Sequence, residues 1–204
     1  MITQQFIRDQ FDLKKLVRFI CQSETYQRST SVNNSNRANE RHFSHALTRR
    51  IRAEVLLDCI SQVTATPNKF RGLPLGARAV QIADGNTSNY FLTTFGRASR
   101  ASVCSCEVKL EPNLSQALHL LNGDTTHQRI QQGNVPDQLL KELGSPEAVM
   151  NALYIRAFSR QPSAAETQNL MTLWQQCAND SDRKQLLNDL FWAILNAKEF
   201  VFNH

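Results

Sequence analysis

The chain has 204 residues, 41% of them hydrophobic and 20% charged, with a formal net charge of +5. This composition excludes wholesale disorder, and a chain of this length buries roughly 70% of its unfolded surface, so folding requires neither a disulfide nor a metal. No apolar run approaches the roughly 18 residues of a membrane span, and the opening Met1-Ile2-Thr3-Gln4-Gln5 has no secretory hydrophobic stretch, so no signal peptide is expected in this chain.

In chain order, Leu13, Leu16, Val17 and Ile20 recur at helical spacing and predict an amphipathic helix over Asp12–Tyr26, with Asp12 as its N-cap. Residues 29–41 are rich in Asn and Ser and read as a long loop. A second helix is predicted over Arg49–Val63, with Ile51, Val55, Leu56, Cys59, Ile60 and Val63 on one side. Residues 64–113 then turn glycine- and proline-rich, with strand-like runs at Ala79–Ala83 and Tyr90–Phe95; this is a loop-rich insertion with room for a short β-hairpin.

Helical texture returns at Asn113, the predicted cap of Leu114–Leu121, with Gln116 at the third helical position and Asn122-Gly123 as the stop. Pro136 suits the first turn of a short helix ending at Gly144. Ser145-Pro146-Glu147 starts the next helix, with Val149, Met150, Leu153, Tyr154, Ala157 and Phe158 inward. Ser163-Ala164-Ala165-Glu166 is a capping box ahead of Leu170, Leu173, Trp174 and Cys177. The last helix is predicted from Asp182 to Phe200, burying Leu186, Leu187, Leu190, Phe191, Ile194 and Leu195; Trp174 and Trp192 read as core. The expected fold is mainly α: one domain with an N-terminal helical part (1–63), the insertion (64–113) and a C-terminal helical bundle (114–204).

The basic surplus lies in the first 123 residues, at +7, against −2 in the last 81. A basic half attracts nucleic acid, anionic glycans or an acidic partner. Its densest cluster is only Arg49, Arg50 and Arg52 without stacking aromatics, which argues against nucleic acid. Cys21, Cys59 and Cys177 fall in helical segments as small apolar fillers. No CxxC or CxxCH unit occurs, so covalent haem attachment and the standard zinc frameworks are excluded. His42 and His45 read as surface residues, as does His127, and His204 closes the chain.

The densest chemistry is Arg97, Arg100, Cys104, Cys106 and Glu107, with His119 on the following helix. Two thiolates and the imidazole supply three ligands of a metal ion, with Glu107 or water as a fourth, although one intervening residue makes a tight bite. Alternatively, Cys104 and Cys106 form a redox pair whose thiol pKa Arg97 and Arg100 depress. A third alternative has the two arginines holding a carboxylate, sulfate or phosphate group, such as that of an anionic glycan. In the structural alternative the arginines pair with Asp84, Glu107 or helix carboxylates while the cysteines pack or bridge.

Several blocks together resemble one family, the planctomycete C-terminal domain of unknown function. They are Leu13-Lys14-Lys15-Leu16 through Ser23-Glu24-Thr25-Tyr26, Arg49 through Asp58, and Arg78-Ala79-Val80-Gln81. Phe95-Gly96-Arg97, Arg100, Cys104-Ser105-Cys106-Glu107, Gln116 through Gly123 and the closing Leu195 through His204 complete the set. The resemblance implies the C-terminal end of a large exported protein, outside the cytoplasm, whose partners are its own upstream domains or a cytochrome c domain. It implies no established reaction. The chain departs from the family pattern at Ala98, where proline is usual, at Val108, where a basic residue is usual, and in lacking an upstream segment, which suggests a fragment or a short copy. The expected function is thus a non-catalytic scaffold or interaction module, with a metal- or thiol-dependent activity centred on Cys104, Cys106 and His119, or anion binding at Arg97 and Arg100, as alternatives.

Overall fold

A computed structural model describes residues 2–39, 41–85, 87–99, 108, 111–122 and 124–203. They are mainly helical, as the hydrophobic periodicity predicts, with one two-stranded sheet. The chain divides into two compact units, Met1–Arg49 and Arg50–Asn203. Among the described residues no helix is long and apolar enough to cross a membrane.

The first unit carries α1 (Ile2–Arg8) and α2 (Leu13–Cys21). Between them Gln10 and Phe11 adopt φ 54° and 63°, and Asp12 caps α2 as predicted, its carboxylate accepting from Lys14 N at 2.8 Å and Lys15 N at 3.1 Å. The helix stops short of the predicted Tyr26. Ser23 explains this, because its hydroxyl donates to Ile20 O at 2.7 Å and competes with the next backbone bond. The stripe stays open to solvent: Leu13 and Val17 are 68% and 59% exposed. Asn33 then organises the polar loop, its Oδ1 accepting from the N–H groups of Ser35 and Asn36.

The second unit holds the hydrophobic core. The helix predicted from Arg49 begins later, as α3 (Ala53–Val63), while Arg49–Arg50 (β1) pairs with Phe202–Asn203 (β2). Tertiary bonds override the local pattern here. Ile51 N donates to Val201 O at 2.9 Å, and the buried Arg50 guanidinium donates to Phe95 O at 2.7 Å and lies 5.3 Å over the Phe95 ring.

The two strand-like runs of the insertion need the same correction. Ala79–Gln81 is a 3₁₀ turn, closed by Gln81 Oε1 accepting from Arg78 N at 2.8 Å. Tyr90–Thr94 is a short helix, α4, capped by Asn89 Oδ1 accepting from Leu92 N at 3.0 Å. The i, i+4 pair Phe91 and Phe95 stacks at 4.1 Å, a contact that a helical turn brings about and that a strand, rising about 3.3 Å per residue, would prevent by holding the two residues roughly 13 Å apart.

The bundle follows as α5 (Leu114–Asn122), α6 (Asp124–Gly133), α7 (Val135–Leu143), α8 (Pro146–Phe158) and α9 (Ala164–Gln176). It closes with α10 (Asp180–Asn196) and α11 (Lys198–Val201). Helix α10 packs on α6, α7, α8 and α9, and its buried Leu187, Phe191, Ile194 and Leu195 face Val149, Met150 and Leu153 in one core cluster. The predicted caps at Asn113, Ser145 and Ser163 form, and Gly144 ends α7 at φ 72°. Helix α6 has no counterpart in the sequence reading. The last helix also differs: Asn179 starts it two residues early, and the extended Ala197 (ψ 146°) breaks it before Phe200. Trp174 and Trp192 are half-buried at the edge of the core rather than inside it.

One ion-pair cluster ties α9 to α11. Arg160 reaches Glu199 at 2.7 and 2.8 Å and Glu166 at 3.1 Å, with its guanidinium 5.2 Å over the Tyr154 ring. Arg160 holds the Glu166 carboxyl down at about 2, helped by the Ser163 N–H that donates to it. A depressed carboxyl stabilises the fold above its unfolded value of 4.5, and that contribution disappears as pH falls toward 2. Because Arg160 and Glu166 are each more than a third exposed, Glu166→Gln should cost only about 1 kcal/mol at pH 7. Urea melts at pH 7 and pH 3 check this: the difference between Glu166→Gln and the parent should shrink at the lower pH.

Candidate functional site

Gly96, at φ 75°, turns the chain out of α4 and delivers Arg97 beneath α3. Arg97 Nη2 donates to Asp84 O at 2.9 Å and to Ile82 O at 3.2 Å, and Nε lies 3.4 Å from Glu54 Oε1. Its side chain is 4% exposed. The guanidinium therefore fastens the segment 82–84 to the first turn of α3, and its charge is answered by a helix carboxylate.

His119 lies on α5 within an aromatic enclosure, with ring centroids 5.2 Å from Tyr90, 5.5 Å from Phe91 and 6.0 Å from Phe95. Its Nε2 is 2.9 Å from Thr125 Oγ1, a bond that links α5 to α6. Both described residues of the candidate site thus have packing neighbours, and these are different neighbours. Arg100, Cys104, Cys106 and Glu107 lie outside the described residues. Of the other thiols, Cys59 packs on the core, where burial and then the neighbouring Asp58 push its pKa up and keep it protonated. His42 and His127 are exposed as expected, whereas His45 is buried; His204 lies outside the described residues. Among the described residues no group of three or more His, Cys, Asp or Glu is placed to share a metal ion.

Sequence reasoning passed over a buried polar arrangement in the second unit. Asp58, 7% exposed on α3, accepts from Ala79 N at 2.6 Å, Asn68 Nδ2 at 3.2 Å and Val80 N at 3.3 Å. Asn68 Oδ1 in turn accepts from Arg129 Nη2 of α6 at 2.7 Å. Burial lowers the Arg129 pKa, and the Asp58 charge opposes that fall. The available signal was an aspartate flanked by Leu57 and, two positions on, Ile60, on the inward side of an apolar helix. The same holds for Arg50, one of the basic cluster Arg49, Arg50 and Arg52, which is only 5% exposed, with burial lowering its pKa.

The family model PSD1, described as a protein of unknown function (DUF1553), matches residues 1–174. The closing block Leu195–His204, which the sequence resemblance had included, lies beyond the matched stretch. No curated protein matches the chain, and no solved structure does. With most of its length covered by that one family model, the chain belongs to the PSD1 family, a family of unknown function.

Proposed function

We propose that this chain is a non-catalytic scaffold and interaction module. Following the family resemblance, it would act outside the cytoplasm beside the upstream domains of a longer polypeptide or a cytochrome c domain. The observation that carries this reading is Arg97: a side chain 4% exposed, with Nη2 donating to two backbone carbonyls and Glu54 beside it, is built to hold a fold together. His119 supports it in the same way, as the imidazole lies between three aromatic rings and a threonine hydroxyl. An interaction module also needs a contact surface, and the exposed Leu13 and Val17 of α2 supply an apolar one.

Arg97→Ala tests the assignment against an anion site. On the scaffold reading it lowers stability by about 2 kcal/mol, the scale of charge-assisted bonds to backbone carbonyls, and leaves inorganic phosphate binding by titration calorimetry as it was. Loss of phosphate binding at an unchanged melting temperature would overturn the scaffold reading in favour of an anion-binding one.

A further inference from the structure

Helix α2 keeps its apolar and basic residues on separate arcs. At about 100° per residue, Leu13, Val17 and Ile20 fall within about 60° of one another, and Lys14, Arg18 and Lys15 follow on the adjoining arc of about 100°. No residue of the helix is buried. Leu16 and Phe19, on the far side of the stripe, are half-buried, whereas Leu13, Val17 and Ile20 are 68%, 59% and 38% exposed. The helix holds no acidic side chain. Of the acids before it, Asp12 accepts from the N–H groups of Lys14 and Lys15, and Asp9 accepts from Gln5 Nε2 at 2.9 Å. Among the described residues none of the three cations enters an ion pair.

Charge and size together select the occupant of this face. A second copy laid along the stripe would set three cations against three, which is repulsive at helix-neighbour distances. Area argues against a protein partner in general. Nine residues span only about 14 Å, and three side chains fall well short of the roughly 800 Å² that a stable interface takes from each partner. A lipid surface requires no matched patch. An apolar stripe beside a polar face that is basic throughout is the pattern of a helix lying in the plane of an anionic membrane. There the long Lys and Arg stems carry charge to the headgroups while the stripe enters the acyl boundary.

We propose that α2 is a reversible anchor on an anionic lipid surface, with Leu13, Val17 and Ile20 inserted and Lys14, Lys15 and Arg18 beside the lipid phosphates. The proposal rests on the reading of the chain as an interaction module and names the surface that it meets.

Co-flotation of the purified chain with vesicles tests it, using phosphatidylcholine alone and an equal mixture of phosphatidylcholine and phosphatidylglycerol. The chain should float with the mixed vesicles and not with the neutral ones. Raising the salt from 0.15 M to 1 M, which shortens the screening length from about 8 Å to 3 Å, should release it. Replacing Lys14, Lys15 and Arg18 together by Gln should lower partitioning about a hundredfold, at roughly fivefold per charge. Val17→Asp should lower it at least tenfold, whereas Leu173→Asp, at a comparably exposed position on α9, should leave it unchanged. No flotation with the mixed vesicles, equal flotation with both kinds, or undiminished flotation of Val17→Asp would each overturn the proposal. So would a loss by Leu173→Asp as large as that by Val17→Asp, or self-association in sedimentation that Val17→Asp abolishes. The scaffold reading fails on a different result, the loss of phosphate binding by Arg97→Ala, so the two failures are told apart.

Discussion

Replacing Asp58 by alanine is expected to lower the stability of the second unit by roughly 3–5 kcal/mol, the range for removing one partner of a buried charged network. The carboxylate is 7% exposed and orders two stretches of chain at once: the 3₁₀ turn through Ala79 N and Val80 N, and the loop before it through Asn68 Nδ2. Its removal leaves the buried Ala79 N–H and the part-buried Val80 N–H without their acceptor, and deprives the desolvated Arg129 of the negative charge that offsets its burial. The ion pair with Arg78 contributes far less. It spans 3.6 Å and its cationic partner is 67% exposed, so Arg78→Ala should cost under about 1 kcal/mol. Asp58→Asn should fall between the two, because an amide keeps one acceptor oxygen and loses the charge. Urea denaturation of the three variants at pH 7 gives the order directly. An Asp58→Ala loss no larger than that of Arg78→Ala would mean that the exposed pair, and not the backbone bonds, carries the interaction.

What could be read in advance follows the range of the forces concerned. Asp12, Ser145, Ser163 with Glu166, and Pro136 with Gly144 mark helix ends through interactions reaching no more than four residues, and all of these ends form. Helix α6 escaped because Asp124–Gly133 has a single large apolar residue, Ile130, and so no stripe. Its anchors are remote: Ile130 is buried in the core, Thr126 Oγ1 donates to Leu120 O at 2.8 Å, and Arg129 reaches Asn68. Tyr90–Phe95 has the aromatic and threonine content of a strand, yet five residues with a capping Asn89 form a helical turn once Phe91 and Phe95 have a core to enter. The candidate site divides in the same way. Arg97 and His119 stood out by residue type, but their roles depend on Glu54, Ile82, Tyr90 and Thr125. Of these, Glu54 and Tyr90 lie 43 and 29 positions from the residues they contact, and no spacing rule links them.

Gly133→Ala should destabilise the chain by roughly 3 kcal/mol or more, at the upper end of overpacking costs, although helix propensity alone favours alanine by up to about 1 kcal/mol. The two effects have opposite signs, and the geometry decides between them. A Cβ on Gly133 would lie 1.7 Å from Thr64 O and 2.9 Å from Thr64 C. Neither atom belongs to a side chain that can turn aside. Thr64 is fully buried at the end of α3, where its N–H donates to Ile60 O at 3.0 Å. Its hydroxyl also donates to Ile60 O at 2.6 Å and sits 2.7 Å from Thr66 Oγ1. Relief would therefore have to come from moving α6 away from α3, which would stretch the Arg129–Asn68 bond as well. Gly144 is the useful contrast, since a Cβ there meets nothing within 4 Å and only its φ of 72° resists substitution; Gly144→Ala should cost about 1 kcal/mol. Thermal and urea melts of both variants separate close approach from backbone conformation. A Gly133→Ala chain as stable as its parent would show that α6 and α3 do not approach each other as closely as the Thr64 contact requires.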